Sequence, residues 1–249
     1  MLLLETRNPR SFKSASSRTR RHHETYPWTA IRWSGYDGKT DIFCNDSLLL
    51  CALTPLAIAA APAEAQTIVD EWTNVKLPEA PELKPVTIDP KTTALLMLDF
   101  MNQNCGKRPR CLASIPVMQK LLGEARAAKV PVIYSLIHNS TTADVIKDVA
   151  PSAGEPSVMS GPDKFLGTEL EKILKDKGIQ TVIVTGTAAN GAVLFTAAGA
   201  ALRGMNVIVP IDGMSALDSY AELSAAYTLA NAPLISPKTT LTTIDMIKF

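Results

Sequence analysis

Four short apolar runs separated by amphipathic stretches constrain this chain more than any other feature. TALLMLDF (93–100), VPVIYSLI (130–137), TVIVTG (181–186) and MNVIVPID (205–212) are almost continuously aliphatic, the pattern of strands covered on both faces rather than on one. After the first, IPVMQKLLGEARAAK brings Ile115, Met118, Leu121, Leu122 and Ala125 onto one helical face. FLGTELEKILKDKG does the same with Leu166, Leu170, Ile173 and Leu174, and Gly178 is placed as its C-cap. AVLFTAAGAALRG and SYAELSAAYTLAN continue the alternation. Strands alternating with helices predict an α/β fold with a parallel sheet covered on both faces. Right-handed crossovers then favour an open, doubly wound topology.

The chain has 249 residues, 46% of them hydrophobic, enough for one domain with additional segments. Residues 1–46 carry RNPR, SSRTRRHHE and WSGYDGKTD without a period of 2 or 3.6. They are expected to be a leader with little packed structure, or the product of a translation start set too far upstream. Residues 47–65, SLLLCALTPLAIAAAPAEA, combine an apolar h-region with the small-x-small pattern Ala63-Glu64-Ala65. That is the signature of a signal peptide cleaved after Ala65, which predicts a periplasmic or secreted protein with no stable membrane association after cleavage. Asp41 and Asp46 stand where such a peptide has positive charge; a buried helix, or an anchor short of the roughly 20 residues needed to span a bilayer, are the other readings. Residues 66–90 include VKLPEAPELKPVTIDP, whose prolines predict an extended arm. Residues 91–249 form the folded domain.

A formal net charge of +1 and the absence of a basic stripe exclude nucleic acid as an expected partner. Beyond Ala65 the cysteines are Cys105 and Cys111, bracketing CGKRPRC. An oxidising compartment would close a small disulfide there; two unrelated thiols fit the spacing equally. The alanine-rich helix 192–202 and LSAAYTLANAPL are candidate subunit contacts, so a homo-oligomer is expected.

Sites in doubly wound sheets lie at the carboxyl ends of the strands. Three groups fall there: Asp99 after ALLML, Lys164 in GPDKFLG, and the turn TGTAANGA (185–192). The acid must find partners or pay a large desolvation cost, although a helix cap or a structural ion pair explains it equally well. A lysine at a helix start is ordinarily solvated. The turn presents backbone N–H groups at a helix N-terminus, which suits a carboxylate or oxyanion. His138 is the sole histidine outside the leader pair His22-His23. With no Cys or acid at ligand spacing it makes no zinc site, and it is expected to line the pocket or pack. No serine sits on a nucleophile elbow. Cys105, on the loop after Asp99, is a second candidate nucleophile only as a free thiol.

LMLDF, the lysine of GPDKFLGTEL and VIVTGTAANGAVLFTA, in that order and spacing, resemble the isochorismatase-like hydrolases of the cysteine hydrolase superfamily. The resemblance covers about residues 93–235. It implies a parallel six-stranded sheet flanked by helices, and a site in which the family's aspartate, lysine and cysteine map to Asp99, Lys164 and Ala192. It also implies a cis peptide near Ala188-Ala189 that helps aim backbone N–H groups. Alanine cannot form an acyl-enzyme, so amidase chemistry through residue 192 is not expected. The Asp-x-His metal pattern of the nicotinamidase branch is missing, and no metal or cofactor is expected. Members lacking the cysteine, the isochorismatases, hydrolyse a vinyl ether with the aspartate as proton donor. By that resemblance Asp99 is the acid/base and Lys164 its electrostatic partner. Ala188, Ala189, Asn190, Gly191 and His138 would bind a small, anionic substrate. A binding protein that has lost its chemistry is the alternative.

Overall fold

The computed structural model describes residues 67–249; the expectations for residues 1–46 and for the signal-like segment 47–65 lie outside the described residues. In chain order the elements are α1 (Ile68–Glu71), β1 (Val86–Thr87), β2 (Thr93–Leu98), α2 (Pro109–Ala127), β3 (Val132–Leu136), β4 (Ser157–Met159) and α3 (Leu170–Asp176). There follow β5 (Thr181–Thr187), α4 (Leu194–Leu202), β6 (Asn206–Pro210), β7 (Met214–Ser215), α5 (Ser219–Asn231), β8 (Thr239–Thr242) and β9 (Ile247–Lys248).

The main sheet runs β4-β3-β2-β5-β6-β8, every neighbouring pair parallel, and β7 adds a seventh strand against the end of β5. The six-stranded sheet implied by the family resemblance is thus present as a continuous path, with β7 beside it. β1 and β9 form a separate two-stranded parallel pair. From β2 the chain first builds outward through β3 and β4, then returns to place β5 on the other side of β2. This is a doubly wound sheet with its switch point between β2 and β5.

Period-two alternation explains why the strand runs are apolar throughout. Ala94, Leu96, Leu98, Val182 and Val184 join one core cluster with Leu170, Leu174, Ala197, Ala200, Ala225 and Leu229, from α3, α4 and α5. Leu95, Met97 and Ile183 join the other, with Cys111, Met118, Leu121 and Ala125 of α2. Each valine, leucine, isoleucine or methionine so buried contributes about 1.5–3 kcal/mol relative to an exposed one.

Four sequence expectations need correction. The first helix begins at Pro109, well before Ile115: proline at its first position brings a fixed φ and no N–H that needs a partner. CGKRPRC is therefore part loop and part first helical turn. Leu166 is exposed and lies outside α3, because Gly167 (φ +68) breaks the helix and Thr168 Oγ1 donates back to Lys164 O at 2.5 Å. Residues 139–162, whose polar sequence predicts a looser segment, are not wholly irregular, since β4 pairs with β3 through Tyr134↔Ser157 to Leu136↔Met159. The arm starts with one helical turn, α1, closed by a Thr67–Asp70 capping box, before running extended to β1.

The crossover between β3 and β4 is braced from below. Arg126 of α2 grips Glu155 with Nε and Nη2 at 2.8 and 2.7 Å, and also donates to Ala150 O. The Tyr134 hydroxyl donates to Val149 O at 2.9 Å, and its burial pushes its acidity far below that of an exposed phenol.

Candidate active site

The switch point is where the functional groups meet. Asp99 ends β2 in the left-handed region (φ +56), a conformation that short polar Asp tolerates better than most residues. This turns its carboxylate away from the strand alternation. Oδ1 accepts from Ser135 Oγ of β3 at 2.6 Å, and the same hydroxyl accepts from the Asp99 N–H at 3.2 Å. Oδ2 accepts from Lys164 Nζ at 2.8 Å. Lys164 also donates to Gly161 O at 2.8 Å and Ser160 O at 3.4 Å. Asp99 and Lys164 are 6% and 1% exposed, so the pair is desolvated and every strong interaction it makes is internal.

Two other contacts hold Lys164 there. Its N–H donates to Thr196 Oγ1 of α4 at 3.2 Å. Gly199, one turn on, lets α4 approach so closely that an added Cβ would stand 3.2 Å from Asp163 Oδ1 and 3.3 Å from Phe165. The expectation of a solvated lysine at a helix start is therefore overturned: Lys164 is buried and ion-paired with Asp99.

The turn after β5 sits beside them for a steric reason. Gly186 is in register with Leu98 and has φ +135; a Cβ there would lie 2.1 Å from Leu98 O. Only glycine permits this approach, and it brings Thr187 next to Asp99 along the sheet edge. The cis peptide is Thr187–Ala188, one bond before the Ala188-Ala189 expected. Ala189–Val193 form a π-helical turn leading into α4. The carbonyl of Ala188 accepts from Gly191 N–H at 3.0 Å and Val193 N–H at 3.2 Å and passes over that of Ala192. Gly191 is thus committed inward, and the turn's remaining donors are those of Ala189, Asn190 and Ala192. Ala189 and Ala192 are buried and Asn190 is exposed. The Ala192 methyl group belongs to the core cluster on the α4 side.

The other candidates separate. His138 is exposed on the segment after β3 and hydrogen-bonds to none of these groups. Cys105 and Cys111 form a disulfide with Cα atoms 5.2 Å apart, so Cys105 carries no thiolate and its role as a displaced nucleophile is excluded. Nor do Asp99, Lys164 and Ala192 border the clefts of about 580, 480 and 540 Å³, which open elsewhere. Ser135 was missed; its only sequence signal is that it interrupts the apolar run VPVIYSLI. Arg108, whose Nη1 donates to Thr187 Oγ1 at 3.0 Å, was also missed.

Fold and site together define a three-layer α/β protein with a buried acid–lysine pair beside a helix-opening turn at the switch point. The isochorismatase domain model matches residues 93–239, and the chain belongs to the isochorismatase family. Its fold is similar to that of a cysteine hydrolase from Pseudomonas syringae pv. phaseolicola 1448A, at 23% identity and a TM-score of 0.57, covering 66% of this chain and 94% of that one. An isochorismatase-like hydrolase from Alkaliphilus metalliredigens has a TM-score of 0.56 at 24% identity, covering 62% and 95%. N-carbamoylsarcosine amidase from Thermoplasma acidophilum has a TM-score of 0.53 at 24% identity, covering 62% and 97%. The search of the curated proteins found no match.

Proposed function

We propose that the protein is a hydrolase of small carbonyl compounds bearing an anionic group, working by acid/base catalysis without a covalent intermediate. The observation that carries this is the Asp99 carboxylate: desolvated, hydrogen-bonded by a donor on each oxygen, and adjoined by a turn that offers N–H groups but no nucleophile at Ala192. Ser135 donates to Oδ1 and Lys164 to Oδ2, so both carboxylate oxygens are held as acceptors in a fixed orientation. We take attack of water on a carbonyl, with Asp99 as the base, as the reaction that such a positioned carboxylate serves.

In that scheme Asp99 takes one proton from a water molecule as its oxygen bonds to the carbonyl carbon. The carbonyl π electrons move onto oxygen, and the oxyanion accepts from the N–H groups of Ala189, Asn190 and Ala192. Collapse expels the leaving group, which takes the proton back from Asp99. Lys164 keeps Asp99 in place and balances its charge, and Ser135 fixes the carboxylate's orientation. Alanine at residue 192 supplies no sulfur, so in this scheme the attack falls to water.

The test is a hydrolysis screen of small amides, esters and vinyl ethers that carry a carboxylate. Asp99→Asn should lower turnover of any substrate found by about 10²-fold or more, the usual worth of positioned acid/base catalysis. An unaffected rate would reject the role, and so would a wild-type protein inert toward the whole screen.

A further inference from the structure

Two residues that the scheme above leaves unused flank Thr187 on the α2 side of the sheet. Arg108 precedes Pro109, which holds it out of the helical region (φ −118, ψ 107). The Cys105–Cys111 disulfide closes the chain around it, and its N–H donates to Cys105 O at 2.9 Å. From this stapled corner its Nη1 donates to Thr187 Oγ1. Arg108 enters no ion pair among the described residues, whereas Arg110, on the far side of Pro109, is paired with Glu222. A half-buried guanidinium thus keeps most of its donors without a fixed acceptor.

The second residue is Ser215, in register with Thr187 across β5 and β7. Register partners in parallel strands present their side chains to the same face. Ser215 is 1% exposed, and its Oγ is the buried side-chain oxygen with no hydrogen-bond partner among the described residues. A buried hydroxyl without a partner is costly and calls for an explanation.

We infer that Arg108 and Ser215 form a carboxylate-binding subsite at the edge of the Asp99 site, which orients the substrate through its anionic end. A guanidinium fork matches the two oxygens of a carboxylate, and the hydroxyl supplies one further donor. This deepens the proposed function by naming the group that recognises substrate, and it rests on that proposal only for the reaction, not for binding.

The test is calorimetric titration of the full chain with acetate, pyruvate and benzoate, each against its neutral amide. Wild type should bind carboxylates better than amides. Arg108→Gln should weaken carboxylate binding by about ten- to a hundredfold, the worth of a hydrogen bond to a charged group. Arg108→Lys should fall between them, because it keeps charge but loses the fork. Ser215→Ala should weaken carboxylate binding while leaving the melting temperature equal or higher, a combination that a purely structural serine would not give. Asp99→Asn should retain carboxylate binding, so failure of the catalytic scheme leaves this outcome unmoved. Equal affinity of wild type for acids and amides, no saturable carboxylate binding, or wild-type affinity in Arg108→Gln would each overturn the subsite.

Discussion

Replacing Lys164 by methionine tests the site at its foundation. At 2.8 Å from Asp99 Oδ2, an effective dielectric constant of about 20 gives an attraction of roughly 6 kcal/mol. Desolvating two ions takes back several kcal/mol, so the pair as a whole contributes little. Removing the cation alone is another matter. It leaves an acid with a side chain only 9% exposed and Ser135 as its remaining donor, and strands the carbonyls of Gly161 and Ser160 without their ammonium. The expected cost of Lys164→Met is about 3–5 kcal/mol, a fall in melting temperature of roughly 6–20 °C for a domain of this size. Asp99→Asn with Lys164→Met should regain part of that loss, since asparagine tolerates positive φ and brings no charge. Urea unfolding and calorimetry of the two single variants and the double variant give the coupling. A Lys164→Met protein melting within about 2 °C of wild type, or costs that add within roughly 0.5 kcal/mol, would refute the buried pair.

Gly186→Ala should cost more than about 4 kcal/mol, because the new methyl group meets a backbone carbonyl that can retreat only by parting β2 from β5; a variant with wild-type yield and near-ultraviolet circular dichroism would contradict the packing. The turn from Thr141 to Asp144 should loosen in acid. The Thr141 N–H, with help from Gln103 and the Thr141 hydroxyl, holds the Asp144 carboxyl below its ordinary value of 3.8. A depressed folded value means that its contribution is fully present above the unfolded pKa and is lost as pH falls through the folded one. Amide exchange at Thr141 and Asn102, corrected for intrinsic rates, should accelerate below about pH 4 in wild type. In Asp144→Asn that acid-dependent step should disappear; if it persists, the cap is not its source.

How much was legible in advance differs by element. The strands β2, β3, β5 and β6 and the helices α2, α4 and α5 follow from apolar spacing, because burial on both faces or along one stripe leaves a direct trace in composition. The strands β4, β7 and β8 left none. They are short, edge or half-exposed, and their pairing depends on where the longer strands already lie. Asp99 and Lys164 were visible as residue types at a spacing that resembles a family, but not as an ion pair: 65 positions separate them in the chain.

What the sequence determined by itself is therefore the alternation, the layered class of fold, and the absence of sulfur at residue 192. The tertiary structure alone decided that Ser135 would orient the acid, that Gly191 would spend its N–H inward, and that Arg108 would donate to Thr187 while Ser215 lies in register with it. The reason is physical. Periodicity and composition record how a residue relates to neighbours a few positions away, whereas a hydrogen bond at a sheet edge is fixed by crossovers and register, which sum contributions from the whole chain.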